Sequence, residues 1–181
     1  MKIVSKAISD VLLFEPTVFN DERGYFMESF RASYFKEAGR NFTFVQDNQS
    51  QSQKGTLRGL HYQLQFPQGK LVRVISGEVF DVAVDIRKCS PTFGKWVSEI
   101  LTAENKKQLW VPPGFAHGFL VLSDSAELIY KCTDYYNSDD EHCLLWNDSE
   151  LDINWPDLDA KPILSEKDQK AKSLAKAMVY P

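Results

Sequence analysis

Gly77-Glu78-Val79-Phe80-Asp81-Val82-Ala83-Val84-Asp85-Ile86 alternates with a period of two. Phe80, Val82, Val84 and Ile86 form one apolar face, and Asp81 and Asp85 lie on the other with Ala83 between them, as a half-buried β-strand requires. Two carboxylates on one strand face call for a polar lumen or for solvent. On either side, between Leu57 and Leu145, short runs rich in Val, Ile, Leu and aromatics are broken by Gly77, Pro91, Gly94, Asn105, the Pro112-Pro113-Gly114 turn and Ser123-Asp124-Ser125. Strands spaced so closely leave no room for crossover helices, so the expectation is a mainly β fold, a sandwich or barrel.

Before this region, Val11–Phe14 and Gly24–Phe30 read as strands separated by the turn Asn20-Asp21-Glu22-Arg23-Gly24, and Ser33–Ala38 with Gly39 as a short helix and its stop. After Trp155-Pro156 the chain turns polar. Ser165-Glu166-Lys167-Asp168 fits a helix cap, opening a Lys/Ala-rich helix expected to end near Met178. No repeat or linker divides residues 1–181, which are read as one domain, long enough to bury a core without disulfides or metals.

Net charge −4 and a pI near 5.4 argue against a nucleic-acid partner, which asks for a broad basic surface. Cys89, Cys132 and Cys143 are odd in number and widely spaced, matching neither a disulfide framework nor a zinc knuckle. No apolar run approaches the roughly 18 residues of a membrane span, and the first residues lack the apolar core of a signal peptide. The expectation is a cytoplasmic protein with no membrane association.

Two of the three histidines, His61 and His117, lie in the strand-rich region beside glycines. Arg58, Lys70 and Arg73 surround His61 in sequence, a local cationic cluster in an acidic chain that points to an anionic small molecule. Arg58 and His61 are three apart, so a regular strand would send them to opposite faces. If both enter one site, Gly59 should mark a bulge or kink.

Pro112-Pro113-Gly114-Phe115-Ala116-His117 matches P-x-G-x-x-H, and with it the chain resembles the cupin superfamily of jelly-roll β-barrels with sites in the lumen. Where metal cupins carry H-x-H and a later carboxylate, this chain has His61-Tyr62-Gln63 and Lys70, a set ill suited to a divalent ion. The likeness sharpens over Leu57–Gln63, Gly69–Val74, Gly77–Arg87, the Pro-Gly-x-x-His-Gly-Phe segment, Asp21–Phe26 and Ser165–Asp168. Together these resemble the dTDP-4-dehydrorhamnose 3,5-epimerases over nearly the whole chain.

That resemblance implies a cupin-type jelly-roll barrel with a few short peripheral helices, one at the C-terminus. It also implies an isomerase without metal or cofactor, acting on a dTDP-linked 4-keto-6-deoxy sugar. By resemblance His61 is the base, oriented by Asp168, Tyr130 the acid on the opposite face, and Lys70 the cation over the enolate oxygen. Arg23, Arg58 and Lys167 are carried over for the pyrophosphate, and Phe26, Glu28, Gln46, Asn48, His117, Tyr136 and Glu141 for other substrate contacts, with His117 expected to pair with Asp81 across the lumen. The resemblance further implies a homodimer whose exchanged N-terminal strands bring Arg23, Phe26 and Glu28 to the other subunit's site. From the residues alone, Asp168 reads as the third residue of a helix cap, and Phe26 as core or as platform for a base. Rival readings are an epimerase of C3 or C5 only, a metal-dependent cupin and a non-catalytic sugar-nucleotide binder.

Overall fold

The computed structural model describes residues 1–158 and 160–181. Its strands are β1 (Lys2–Ser5), β2 (Leu12–Glu15), β3 (Val18–Asp21), β4 (Gly24–Met27), β5 (Gln46–Gln53), β6 (Leu57–Gln63), β7 (Lys70–Ser76), β8 (Glu78–Asp85), β9 (Trp96–Thr102), β10 (Gln108–Val111), β11 (Phe115–Val121), β12 (Ser125–Cys132) and β13 (Glu141–Cys143), with short helices α1 (Ser33–Glu37) and α2 (Glu166–Gln169). A six-stranded sheet runs β1-β2-β10-β7-β12-β5, a five-stranded sheet runs β13-β6-β11-β8-β9, and β3 and β4 form a separate hairpin. From β6 to β12 the chain passes repeatedly from one sheet to the other, the double-sheet winding of a jelly-roll barrel. Among the described residues no helix is long and apolar enough to cross a membrane.

The barrel interior is filled from both sheets. Val72, Val74, Leu109, Val111 and Leu128 meet Val79, Ala83, Val97, Leu101, Phe119 and Val121. In β8, therefore, the face carrying Asp81, Ala83 and Asp85 looks into the barrel. Its apolar face, Phe80, Val82 and Val84, looks outward and is covered by Leu144, Leu151, Trp155 and Leu174 from the C-terminal segments. The strand is buried on both faces: Asp81 meets His117 inside the barrel, and Asp85, at the strand end, is satisfied by Arg87, Ser90 and Thr92. On the other side Phe35 of α1 packs with Phe14 and Trp110, closing the outer face of the six-stranded sheet.

Two expected elements are shorter than their sequences suggested. Strand β4 stops at Met27, and Phe30 turns back to pack edge-on against Phe44 and at a tilt against Phe35. The expected C-terminal helix to Met178 is one turn, α2, followed by a 3-10 turn at Leu174–Lys176. Tertiary hydrogen bonds override its helical composition: Lys172 is drawn into a bridge with Leu144, and Asp148 accepts from the Leu174 backbone N–H.

Candidate active site

Between the sheets lies a cavity of about 370 Å³, walled by Gln46, Asn48, Arg58, His61, Lys70, His117, Tyr130, Tyr136, Glu141 and Lys167 among others. Ten of the sequence-selected residues thus converge on one space. His61 comes from β6 in the five-stranded sheet and Tyr130 from β12 in the six-stranded sheet, so imidazole and phenol enter it from opposite sides.

Strand β6 delivers both Arg58 and His61 because it kinks at Gly59. That residue has φ +129°, and a Cβ there would stand 2.5 Å from the Gly118 Cα. Only glycine allows β6 and β11 to approach so closely. The pairing of the two strands shifts register between His117 and Phe119, opposite this point, and His61 pairs directly with His117. The kink expected from the Arg58 and His61 spacing is present, and both side chains line the cavity.

His61 Nε2 lies 2.6 Å from Asp168 Oδ1, across 107 residues of chain. Ser165 holds that carboxylate, its hydroxyl donating to Asp168 Oδ2 at 2.7 Å and accepting from the Asp168 backbone N–H at 3.2 Å. Asp168 is therefore both a member of the helix cap and the histidine's partner; the two readings of the sequence coexist. Burial drives the His61 pKa below its ordinary value, a pull that Asp168 only partly offsets, so the imidazole is neutral near pH 7. With Asp168 ionised, Nε2 carries the proton and Nδ1 keeps a lone pair. Burial opposes ionisation of Asp168, but the hydrogen bonds from His61 and Ser165 outweigh it and hold its pKa low.

Lys70 opens β7 and lines the same cavity. Among the described residues no carboxylate lies within ion-pair distance of its ammonium, and burial lowers its pKa. Burial likewise raises the Tyr130 phenol above its ordinary value, keeping it protonated and ready to donate. At the mouth, Glu141 accepts from Tyr136 Oη at 2.9 Å and from Lys167 Nζ at 2.5 Å. Arg58 donates to Ser52 Oγ at 3.0 Å and lacks a carboxylate partner among the described residues. Cys143 Sγ lies 3.5 Å from Asp168 Oδ1, and burial, followed by that carboxylate, drives its thiol pKa well above the ordinary value.

His117 does pair with Asp81, Nε2 lying 2.9 and 3.0 Å from its two oxygens. The pair does not bridge the lumen as expected: β8 and β11 are neighbours in one sheet, so it links adjacent strands. Arg23, Phe26 and Glu28 are absent from the walls of this chain's cavity. Arg23 pairs with Asp21 at the tip of the β3–β4 hairpin, Glu28 pairs with Arg31, and Phe26 is 71% exposed.

Sequence reading missed Ser50, Tyr62, Gln63, Gln68 and Phe119. Ser50 continues the alternation of Gln46 and Asn48 on β5, and its buried hydroxyl has no partner among the described residues. That alternation was the available signal. Gln63, at the second histidine position of the metal-cupin pattern, is instead bound to the rim: its Nε2 donates to the Phe66 and Tyr135 carbonyls and its Oε1 accepts from the Asn137 N–H.

The model of the dTDP-4-dehydrorhamnose 3,5-epimerase family matches residues 5–176. The chain belongs to that family. A dTDP-4-dehydrorhamnose 3,5-epimerase of Pseudomonas aeruginosa is 58% identical over the full length of both chains. The crystal structure of dTDP-6-deoxy-D-glucose-3,5-epimerase from Legionella pneumophila in complex with dTDP-4-keto-L-rhamnose is 55% identical, covers 97% of this chain and 93% of its own, and has a TM-score of 0.94. A 3′-monoepimerase from Streptomyces bikiniensis, ChmJ, in complex with dTDP-quinovose, is 37% identical with a TM-score of 0.89, covering 94% of this chain and 87% of its own. This member of the epimerase family is an isomerase with a cupin-like barrel. The likeness to ChmJ means that the fold by itself does not set how many carbons are inverted.

Proposed function

We propose that this chain inverts C3 and C5 of dTDP-4-dehydro-6-deoxy-D-glucose, giving dTDP-4-dehydro-L-rhamnose, with His61 as base and Tyr130 as acid. The observation that carries the reading is one cavity that His61 and Tyr130 enter from opposite sheets, lined also by Lys70, which has no carboxylate partner among the described residues. A C4 carbonyl acidifies the hydrogens on C3 and C5. His61 Nδ1 takes the C3 proton, the C–H electron pair moves to O4, and Lys70 offsets the enolate charge. Tyr130 returns a proton to C3 from the opposite face. The resulting imidazolium and phenolate exchange protons with solvent, and the cycle repeats at C5. Formula and oxidation state are unchanged.

Asp168 holds the tautomer that leaves Nδ1 free. Arg58 and Lys167 take the pyrophosphate, where a guanidinium without a carboxylate partner is available. Lys167 must first exchange Glu141 for phosphate. Gln46, Asn48, Ser50, His117 and Tyr136 contact the sugar and nucleoside.

The active form is a homodimer of single-domain subunits, working in the cytoplasm. The β3–β4 hairpin exposes Phe19, Tyr25 and Phe26 on its own chain, and β5, at the edge of its sheet, leaves one side unpaired beside Gln46, Asn48 and Ser50. An edge strand of this length invites another strand. Docking the hairpin on the other subunit brings Arg23, Phe26 and Glu28 to its cavity.

Incubation with dTDP-4-keto-6-deoxyglucose in deuterium oxide, followed by proton NMR, tests the reading. Deuterium at both C3 and C5 is expected. Label at one carbon makes the chain a single-site epimerase, and binding without label makes it a sugar-nucleotide binder.

A further inference from the structure

Cys143 is left without a task by the proton-transfer scheme. It ends β13, partly buried, with its sulfur 3.5 Å from the carboxylate oxygen that faces His61. His61, Cys143 and Asp168 each offer one donor atom, and the three atoms lie within 4.8 Å of one another. Imidazole, thiolate and carboxylate are the ligands of Zn²⁺, and bond lengths of about 2.3 Å to sulfur and 2.0–2.2 Å to nitrogen and oxygen set tetrahedral ligand atoms roughly 3.3–3.7 Å apart. The sulfur–oxygen pair already has that separation at 3.5 Å. The nitrogen–oxygen pair, now at 2.6 Å, must open, by roughly 1 Å on those bond lengths, a displacement within the reach of side-chain rotation.

We propose that His61 Nε2, Cys143 Sγ and Asp168 Oδ1 form a binding site for one thiophilic dication, Zn²⁺ or Cd²⁺, whose occupancy stops proton abstraction. The site is distinct from a cupin lumen centre, since its ligands come from β6, β13 and α2, and Cys143 and Asp168 stand outside the cavity wall. On binding, the thiol gives its proton to solvent. Thiolate and carboxylate then supply two negative charges against the two of the ion, while nearby Lys167 is engaged by Glu141. The Nε2 lone pair goes to the metal, so the ring proton moves to Nδ1. The nitrogen facing the sugar becomes a donor and ceases to be a base. The inhibitory part rests on His61 being that base; the binding part does not.

The test is titration of CdCl₂ into the Cys89→Ser protein, which removes the exposed cysteine. Thiolate-to-cadmium absorption and turnover are followed together. The expected result is a band saturating at one ion, turnover lost in step with it, and both reversed by a chelator. Cys89→Ser/Cys143→Ser should turn over without metal yet show no band, and Asp168→Asn should weaken binding at least about tenfold. A band that survives Cys143→Ser, saturation at other than one ion, or no band at all overturns the site. A full one-ion band with undiminished turnover overturns the inhibitory claim, and with it His61 as the base.

Discussion

Two histidines line the cavity, His61 and His117, each backed by a carboxylate, and the two pairs are chemically alike and structurally opposed. His117 and Asp81 sit on neighbouring strands, the carboxylate meets one ring nitrogen with both oxygens, and their side chains are 9% and 0% exposed. His61 and Asp168 are brought together by a strand and a one-turn helix, through one oxygen only, and the His61 side chain is 24% exposed. In the first pair the carboxylate locks a frame. In the second it holds Nε2 of a ring that lines the cavity, and Ser165 holds the carboxylate from behind. On the proposed mechanism identical partners serve rigidity in one place and reactivity in the other, according to what is left free.

Replacing His61 by Ala should break the comparison most sharply. On the scale of general-base catalysis a loss of about 10³–10⁴ in kcat is expected, with dTDP affinity kept within about tenfold, or 1.4 kcal/mol. Unchanged kcat would remove the base assignment. Asp168→Asn should lower kcat by about 10²–10³ through the wrong tautomer, with KM little changed. Steady-state kinetics that moved KM alone would make Asp168 a binding residue.

Arg58→Ala comes next, weakening dTDP binding by about 2 kcal/mol, roughly thirtyfold by calorimetry, because a charge-assisted contact is lost. Unaltered affinity would put the phosphates elsewhere. Asp81→Asn has the smallest expected catalytic effect, about tenfold or less in kcat, alongside a fall in melting temperature as a buried acceptor pair is weakened. A kcat loss equal to that of Asp168→Asn would erase the distinction between the pairs.

The pH profile sharpens it further. The base must be neutral, so kcat/KM rises with pH through the His61 pKa. Burial lowers that pKa from 6.5, which places the acid limb below pH 6.5. The basic limb belongs to whichever proton is lost first, that of Tyr130, held above pH 10 by burial, or that of Lys70, drawn below 10.5 by burial. An acid limb above 6.5 would show the dyad dominated by Asp168 instead.

Much of this was legible in the sequence wherever local period carried the information. The alternation in Gly77–Ile86 gave a strand, and the three-residue spacing of Arg58 and His61 called for the break found at Gly59. What escaped depended on partners distant in the chain. The C-terminal segment has helical composition, but Lys172 and Leu174 are claimed by Leu144 and Asp148, and no local pattern announces such capture. Which β8 face meets the lumen was hidden for the same reason, since residues after Leu144 cover the other one. Ser50 was readable and overlooked. Of the β3–β4 hairpin the second strand and the turn were read, but β3 was not, since Asn20 and Asp21 were given to the turn, and the hairpin's standing apart from the cavity had no local signal.

The most direct test of two facing groups, one abstracting and one returning the proton, is Tyr130→Phe incubated with the keto sugar in deuterium oxide. His61 can still remove the C3 proton and deliver deuterium to the face it came from. NMR should show label at C3 with the original configuration and almost no inverted product. Inversion at the parent rate would contradict the account.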